Sequence, residues 1–165
     1  MKSVLAFSEL MLGYLDRAVA LFSGAVLLLT TVLLIVNAIA RSLGYVLFAG
    51  GPTLAGLLIL WLTFLGAYIP ARRGRHITVD MITTRLAPAV LRWLRIAVAL
   101  IAVVLCVYAA WLGWTFTAFR FASGQIDQML SIPTGWFYAP VPIGFALCAL
   151  AWLHAAADDL WGTPK

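Results

Sequence analysis

The chain has 165 residues, of which 64% are hydrophobic and only 10% are charged. A soluble domain carries about 25% charged residues, so this composition, with a mean hydropathy of +1.04, excludes an ordinary water-soluble protein. The net charge of +5 does not indicate nucleic-acid binding, because the Arg residues bracket apolar runs and do not line a helix face interleaved with aromatic residues.

Four long stretches contain no Asp, Glu, Lys or Arg, at 18–40, 42–71, 96–119 and 128–157. A membrane-spanning helix needs about 20 apolar residues, so each stretch holds one helix. The second and fourth stretches begin with helix breakers at Pro52 and Pro133. The sequence therefore predicts an all-α integral membrane domain over 1–165. Its four transmembrane helices are expected at about 18–40, 52–71, 96–119 and 134–156.

The distribution of basic residues predicts the orientation of these helices. Nine of the 11 Lys and Arg residues lie in the N-terminal segment, the loop 72–95 and the C-terminal tail. Only Arg41 and Arg120 lie in the other two connections. Because short cytoplasmic segments are enriched in Lys and Arg, we expect both termini and the loop 72–95 to be cytoplasmic.

A cleavable signal peptide is the alternative for the first span, since Ala38-Ile39-Ala40 resembles a cleavage site. The apolar run before this site is longer than the roughly 7 to 15 residues of a signal sequence. The leading segment also carries Glu9 and Asp16. We therefore expect the first span to be retained.

The loop 72–95 contains a basic interfacial segment. Arg85, Arg92 and Arg95 fall on one side of a helical wheel, with apolar residues around them. Pro88 suits the first turn of a helix. The pattern predicts a segment on the membrane surface that contacts anionic lipid headgroups and runs into the third helix.

The spans lack the residues on which transport chemistry or catalysis usually depends. A proton-coupled multidrug pump needs an intramembrane carboxylate, and haem needs paired His ligands, whereas His76 and His154 lie outside the middle of the spans. Asp158 and Asp159 are adjacent and diverge on a helix, so they make a poor metal or catalytic pair. We predict no enzyme, no metal and no cofactor. His154 and Asp158 are expected to form a hydrogen bond at a helix end.

Several side chains in the spans indicate how the helices pack. Small residues four apart allow close helix contact, and they occur at Ala20/Gly24, Ala109/Gly113 and Gly144/Cys148. Asn37 is expected to bond a neighbouring helix or water. Trp61 falls in the middle of the second span, which favours a contact with protein over lipid exposure by a small margin. Four Trp residues near span ends are expected to anchor the helices at the interfaces: Trp93, Trp114, Trp136 and Trp152.

Two motifs are more specific than this composition. The first runs from Trp61 through a Phe-Leu-Gly-Ala segment to a polar loop, and it contains Gly66, Arg72, Arg73, Gly74, Arg75, His76, Ile77, Val79 and Asp80. The second leads into the fourth helix and contains Pro133, Trp136, Tyr138, Pro142 and Gly144. With Arg41 after the first span, these motifs resemble the DctQ-like small membrane subunit of tripartite ATP-independent periplasmic (TRAP) transporters.

The resemblance implies a role in a complex of the bacterial inner membrane. In such transporters a large membrane permease subunit holds the sodium and substrate sites and works as an elevator. A periplasmic solute-binding protein delivers a small solute, commonly a carboxylate. The small subunit resembles a stator that fixes the large subunit in the bilayer and helps dock the delivery protein.

The resemblance also suggests roles for the motif residues. The loop from Arg73 to Asp80 is either a turn held by internal hydrogen bonds and lipid phosphates or a direct clamp on the large subunit, and we favour the turn. Contacts with the partner or with lipid are implied for Arg41, Trp61, Gly66, Arg72, Arg75, Pro133, Trp136, Tyr138, Pro142 and Gly144. The chain departs from the family in having no acidic residue between Asp16 and Asp80, where members often carry Glu near the start of the second helix.

Two other functions remain as alternatives. A homo-oligomeric four-helix channel or exporter requires a polar helix face, for which the first span offers only Ser23, Thr30, Thr31 and Asn37. A membrane-embedded enzyme requires clustered carboxylates or an activated nucleophile, and the sequence has neither pattern.

Overall fold

The computed structural model describes residues 2–73 and 88–161. The described part of the chain is helical and contains no strand, apart from one isolated antiparallel bridge between Ile126 and Pro133. Its helices are α1 (Lys2–Ser42), α2 (Gly51–Gly66), α3 (Tyr68–Arg73), α4 (Pro88–Ala122), α5 (Gly135–Tyr138) and α6 (Pro140–Trp161).

Four helical segments are long and apolar enough to cross a membrane, which confirms the predicted fold class. They are Gly13–Ser42, Gly51–Arg72, Arg92–Ala122 and Gly135–Leu160. Two of them combine neighbouring short and long helices. α2 continues into α3 through Ala67, and α5 continues into α6 through Ala139, both residues having helical backbone angles.

Proline explains both interruptions. Pro70 has no N–H to donate to the carbonyl of Gly66, and Pro140 has none to donate to the carbonyl of Trp136. The helical path nevertheless persists, since Ala67 N–H bonds the carbonyl of Thr63 at 3.0 Å. Each interruption is therefore a local loss of one hydrogen bond within a single spanning segment.

The end of α1 is a glycine-terminated Schellman motif. Gly44 has φ of +81°, the left-handed conformation that glycine adopts without steric cost. Tyr45 N–H donates to the carbonyl of Ala40 at 2.9 Å, and Gly44 N–H donates to that of Arg41 at 3.1 Å. These bonds satisfy carbonyls that the helix leaves free and turn the chain toward α2.

α1 packs on α2, and at its terminal end on α3, through a narrow stripe of side chains. Its buried and half-buried positions alternate by three and four residues along the helix, the spacing of a coiled-coil seam. They are Asp16, Val19, Ser23, Val26, Thr30, Leu33, Asn37 and Ala40. The other positions of α1 between Tyr14 and Ser42 are exposed.

α6 is the central helix of the bundle and packs against α2, α3 and α4. Glycine permits the closest approaches. A Cβ on Gly144 would collide with the carbonyl of Phe64 in α2, and one on Gly113 of α4 would lie 3.0 Å from the Val141 side chain. Two of the three predicted small-residue pairs thus contain a glycine at a close contact, whereas the third does not, because Gly24 has no atom within 4 Å of its Cβ position.

The observed helices extend beyond the predicted spans. α1 begins at Lys2, well before residue 18, and α4 begins at Pro88, before residue 96. Helical hydrogen bonding continues past the apolar stretch, since charged residues such as Asp16 and Arg92 do not break a helix. Both ends of the loop 72–95 are therefore helical. Its middle, 74–87, lies outside the described residues.

Candidate functional site

The bundle has two polar ends. We call the end where α1 begins and α6 finishes the terminal end, and the end that carries the connections 43–50 and 123–134 the connection end. The two connections touch, because a Cβ on Gly50 would lie 3.0 Å from the Leu130 side chain. The motif residues divide between these ends.

Most of the first motif lies outside the described residues. This applies to Gly74, Arg75, His76, Ile77, Val79 and Asp80. Arg73 is the last residue of α3, and its side chain is not described. The two interpretations of this loop therefore both stay predictions.

Arg72 forms an ion pair at the terminal end. Its Nε lies 3.3 Å from Oδ2 of Asp16 in α1, and both side chains are half-buried. Arg72 Nη1 also donates to the hydroxyl of Tyr68 at 3.4 Å. Tyr68 is fully buried and packs with Val19 and Ala151, so the ion pair closes a core that joins α1, α3 and α6.

A second arginine caps α6 at the same end. Arg92 of α4 donates from Nε to the carbonyl of Asp159 and from Nη2 to that of Leu160, each at 2.7 Å. These carbonyls belong to the last turn of α6, where the helix dipole favours a cation. In the preceding turn, Nδ1 of His154 lies 3.5 Å from Oδ2 of Asp158, which agrees with the predicted contact between these side chains.

Tyr138 of the second motif packs against Arg120 at the connection end. The Arg120 guanidinium lies 4.9 Å from the ring centroid of Phe116 and 5.3 Å from that of Tyr138. The two rings meet edge to face at 4.8 Å. Arg120 Nη1 also donates to Oε1 of Gln125 at 2.6 Å. We call Phe116, Arg120, Gln125 and Tyr138 the Arg120 stack. These residues join the end of α4 to α5 and to the connection 123–134.

Trp136 extends this contact along α4. Its ring meets that of Phe121 edge to face at 5.8 Å. The Phe121 ring also covers Gly135, where a Cβ would lie only 2.5 Å from a ring carbon. Glycine at the start of α5 is therefore required for the aromatic ring to pack flat against the backbone.

The connection 123–134 is folded by its own hydrogen bonds. Oδ1 of Asp127 accepts from the backbone N–H groups of Met129 and Leu130 at 3.0 and 2.9 Å. Asp127 N–H donates to the carbonyl of Ile132 at 2.9 Å, next to the bridge formed by Pro133. This internal bonding gives the connection a defined surface.

The remaining motif residues have separate positions. Pro142 and Gly144 lie in the α6 seams described above. Trp61 is half-buried in α2, Arg41 is exposed near the end of α1, and Gly66 has no atom within 4 Å of its Cβ position. The structure thus brings Tyr138 and Trp136 of the second motif together at the end of α4, and leaves Pro142, Gly144 and these three residues apart from them.

Sequence reasoning missed the side chains that bind one helix to another. Asp16, Tyr68 and Arg92 were not selected as site residues, although Asp16 and Arg72 flank spans at the same end. That shared position was a usable signal for the ion pair. No sequence signal pairs Arg92 with backbone carbonyls 67 and 68 residues away.

This arrangement can hold helices in place but offers little chemistry. Between Arg17 and Arg41, and between Arg95 and Arg120, the spans carry no charged side chain. Within residues 2–73 and 88–161, no three His, Cys, Asp or Glu side chains are grouped as a metal site. The charged side chains of Asp16, Arg72, Arg92 and Arg120 form interhelical contacts at the two ends.

Comparison with known proteins identifies the chain's family. Residues 30–161 match the family described as "Tripartite ATP-independent periplasmic transporters, DctQ component". The chain is 27% identical over 155 residues to the ectoine TRAP transporter small permease protein TeaB of Halomonas elongata, covering 90% of this chain and 79% of that protein. Because the family match spans most of its length, from within the first membrane helix to the end of the fourth, the chain belongs to the DctQ family of TRAP transporter small permease subunits.

Proposed function

We propose that this chain is the stator of a TRAP-type secondary transporter in the bacterial inner membrane. It would fix a large elevator-type permease subunit in the bilayer while that subunit carries solute. The whole complex would use sodium to take up a small solute, which we expect to be a carboxylate. The chain itself would bind neither solute nor sodium.

The observation that carries this proposal is the location of the charged groups. The Asp16–Arg72 ion pair, the Arg92 contact and the Arg120 stack all lie at bundle ends and join helices. The intervening spans offer apolar surface to their surroundings. A body of this kind resists displacement along the membrane normal, because moving polar ends into hydrocarbon costs free energy.

Docking of the solute-binding protein is assigned to the connection end. With both termini cytoplasmic, as the basic residues predict, this end faces the periplasm. The Asp127 hydrogen bonds give the connection 123–134 a defined shape, and Ile126 and Met129 expose apolar side chains on it. Such a preformed surface loses little entropy when a protein binds.

The homo-oligomeric channel is less well supported. Thr30 is buried in the α1–α2 seam, and its hydroxyl donates to the carbonyl of Val26 in its own helix. Ser23 and Asn37 belong to the same seam. These polar groups face α2, so they do not line a pore between copies of the chain.

The proposal is tested by reconstituting the chain with a large permease subunit and a solute-binding protein of the same transporter. Deleting this chain should abolish solute uptake by the complex in proteoliposomes, and adding it back should restore uptake. The chain reconstituted alone should accumulate no solute and bind no sodium. Coupled accumulation by the chain alone would overturn the proposal.

A further inference from the structure

The outward face of α4 carries polar aromatic side chains in the middle of its span. Val104, Tyr108, Trp111 and Thr115 repeat by four and three residues and share this face. Tyr108 is 58% exposed and Trp111 is 61% exposed, and their ring centroids lie 6.3 Å apart. Thr115 bonds the carbonyl of Trp111. Neither the Tyr108 hydroxyl nor the Trp111 indole N–H has a hydrogen bond within residues 2–73 and 88–161.

Both aromatic residues lie at the depth of the hydrocarbon core. Arg92 and Arg120 mark the two ends of the α4 span, and residue 106 is midway between them. With a rise of about 1.5 Å per residue, Tyr108 lies about 3 Å and Trp111 about 8 Å from this midpoint. The hydrocarbon core reaches about 15 Å to each side. Tyr and Trp normally collect at the interfaces, where their polar atoms meet water and headgroups.

Lipid does not satisfy these groups. Acyl chains have no hydrogen-bond acceptor, so leaving an O–H or N–H unpaired in hydrocarbon costs free energy. The exposed face of α1 shows what a lipid-facing surface looks like in this chain. At the same depth it presents aliphatic side chains, among them Leu28, Val32 and Ile35.

An apolar groove lies next to this face. It lies between α4 and α6, encloses about 420 Å³ and is lined almost wholly by apolar atoms. Its floor includes Ala110, Ala118, Ala139 and Ala146, and Trp114 forms part of its wall. Trp111 and Trp114 are one turn apart, so the groove borders the polar aromatic face on its side nearer the connection end.

We propose that the α4 face centred on Tyr108 and Trp111 is the surface that binds the large permease subunit. The partner is a membrane helix that supplies carbonyl or hydroxyl oxygens to these two donors and places large side chains in the groove. This inference rests on the proposed function, because it assigns the stator's contact to one helix. The complementarity is specific: two donors at mid-depth require two acceptors at mid-depth.

Site-specific photocrosslinking in the assembled complex tests the assignment. A benzophenone amino acid replaces Val104, which is 67% exposed on the α4 face, or Leu28, which is 69% exposed on α1. Both positions lie near the middle of their spans, so exposure and depth are matched. We expect a crosslink to the large subunit from position 104 and none from position 28.

Other results would contradict either this inference or the proposed function. An intact complex that crosslinks from position 28 alone, or from position 104 to a second copy of this chain, overturns this inference and leaves the proposed function standing. If the unsubstituted chain does not co-purify with the large subunit, the proposed function fails and the inference fails with it.

A second measurement tests the hydrogen bonds directly. The double variant Tyr108→Phe/Trp111→Phe keeps the apolar rings and removes both donors. We expect at least about a tenfold loss of affinity for the large subunit, because two acceptors of the partner stay unpaired. The control Leu28→Phe/Val32→Phe should bind as the unsubstituted chain does. Unchanged affinity of the Tyr108→Phe/Trp111→Phe variant would contradict the predicted donors.

Discussion

The α1–α2 seam and the seams of α6 hold helices together in different ways. α1 meets α2 through a narrow stripe of side chains, and the Asp16–Arg72 ion pair fastens it at the terminal end. α6 meets α2 and α4 with glycine at the closest contacts, where backbone approaches backbone. In lipid, apolar burial gives little preference for one helix partner over another, so shape and polar contacts decide the packing. The α6 seams depend on shape, whereas the α1 seam depends more on its polar end.

The largest expected effect is at the closest of these approaches. Gly144→Val places a branched side chain against the Phe64 carbonyl, which cannot move without shifting α2. We expect a loss of about 3 kcal/mol in the free energy of unfolding, measured by titration with a denaturing detergent.

Gly56→Val is the matched control, since Gly56 lies in α2 with no atom within 4 Å of its Cβ position. Its change should stay within about 0.5 kcal/mol. Equal losses for the two variants would show that the α6 seam does not depend on backbone approach.

The next effect concerns the polar end of the α1 seam. Asp16→Asn removes the charge that pairs with Arg72, and we expect a loss of about 1–3 kcal/mol because Arg72 stays half-buried without its partner. Arg17→Gln, at the neighbouring exposed position, should have little effect. The reversed pair Asp16→Arg/Arg72→Asp should recover part of the loss. If Asp16→Asn is as stable as the unsubstituted chain, the apolar side chains of the stripe, and not the ion pair, fix α1 in the bundle.

The Arg92 contact is expected to contribute less because it is exposed. Arg92→Gln removes the charge from the last turn of α6 and should cost about 1 kcal/mol. Hydrogen exchange should rise at the amides of the last turn of α6, while the amides around Gly144 keep their protection. Arg92→Lys retains the charge but cannot donate to the two carbonyls from two separate nitrogens. Hydrogen exchange at the same amides should therefore be intermediate in this variant. If hydrogen exchange in the last turn of α6 is unchanged in Arg92→Gln, Arg92 does not stabilise the end of that helix.

The smallest effect is expected inside the α1 stripe. Thr30→Val removes a hydroxyl that bonds Val26 of its own helix, so it should change the free energy of unfolding by no more than about 0.5 kcal/mol. Thr31→Val is the exposed counterpart, since its hydroxyl bonds Leu27 in the same way. A loss of more than about 1 kcal/mol at Thr30 alone would mean that its hydroxyl also bonds α2.

Much of the fold could be predicted because its signals are local. An apolar run of sufficient length in lipid must be helical, since its backbone groups find partners only within the helix. Pro52 and Pro133 placed the starts of the second and fourth spans close to the observed helices at Gly51 and Gly135. The apolar run does not show that α1 begins as early as Lys2, because charged residues end such a run without ending a helix.

The candidate site was predictable only in part. Tyr138 and Trp136 were selected from a motif, yet their partners Phe116, Phe121 and Arg120 were not. Rings on α4 meet rings on α5 only because the connection 123–134 folds back on itself. Such contacts depend on the rotation of one helix against another, which spacing within a single helix does not fix.

The sequence by itself determined that the chain is a membrane protein, that it has four membrane-spanning segments and that the apolar core of each segment contains no charged residue. The hydropathy of a segment and the charged residues within it can be read from consecutive residues, so neither depends on how the helices pack. Only the tertiary structure decided which charges pair, which glycines allow helices to touch and which face of α4 carries donors that bond nothing within residues 2–73 and 88–161. These features depend on helix rotation and tilt, and in a membrane those are set by contacts between distant segments.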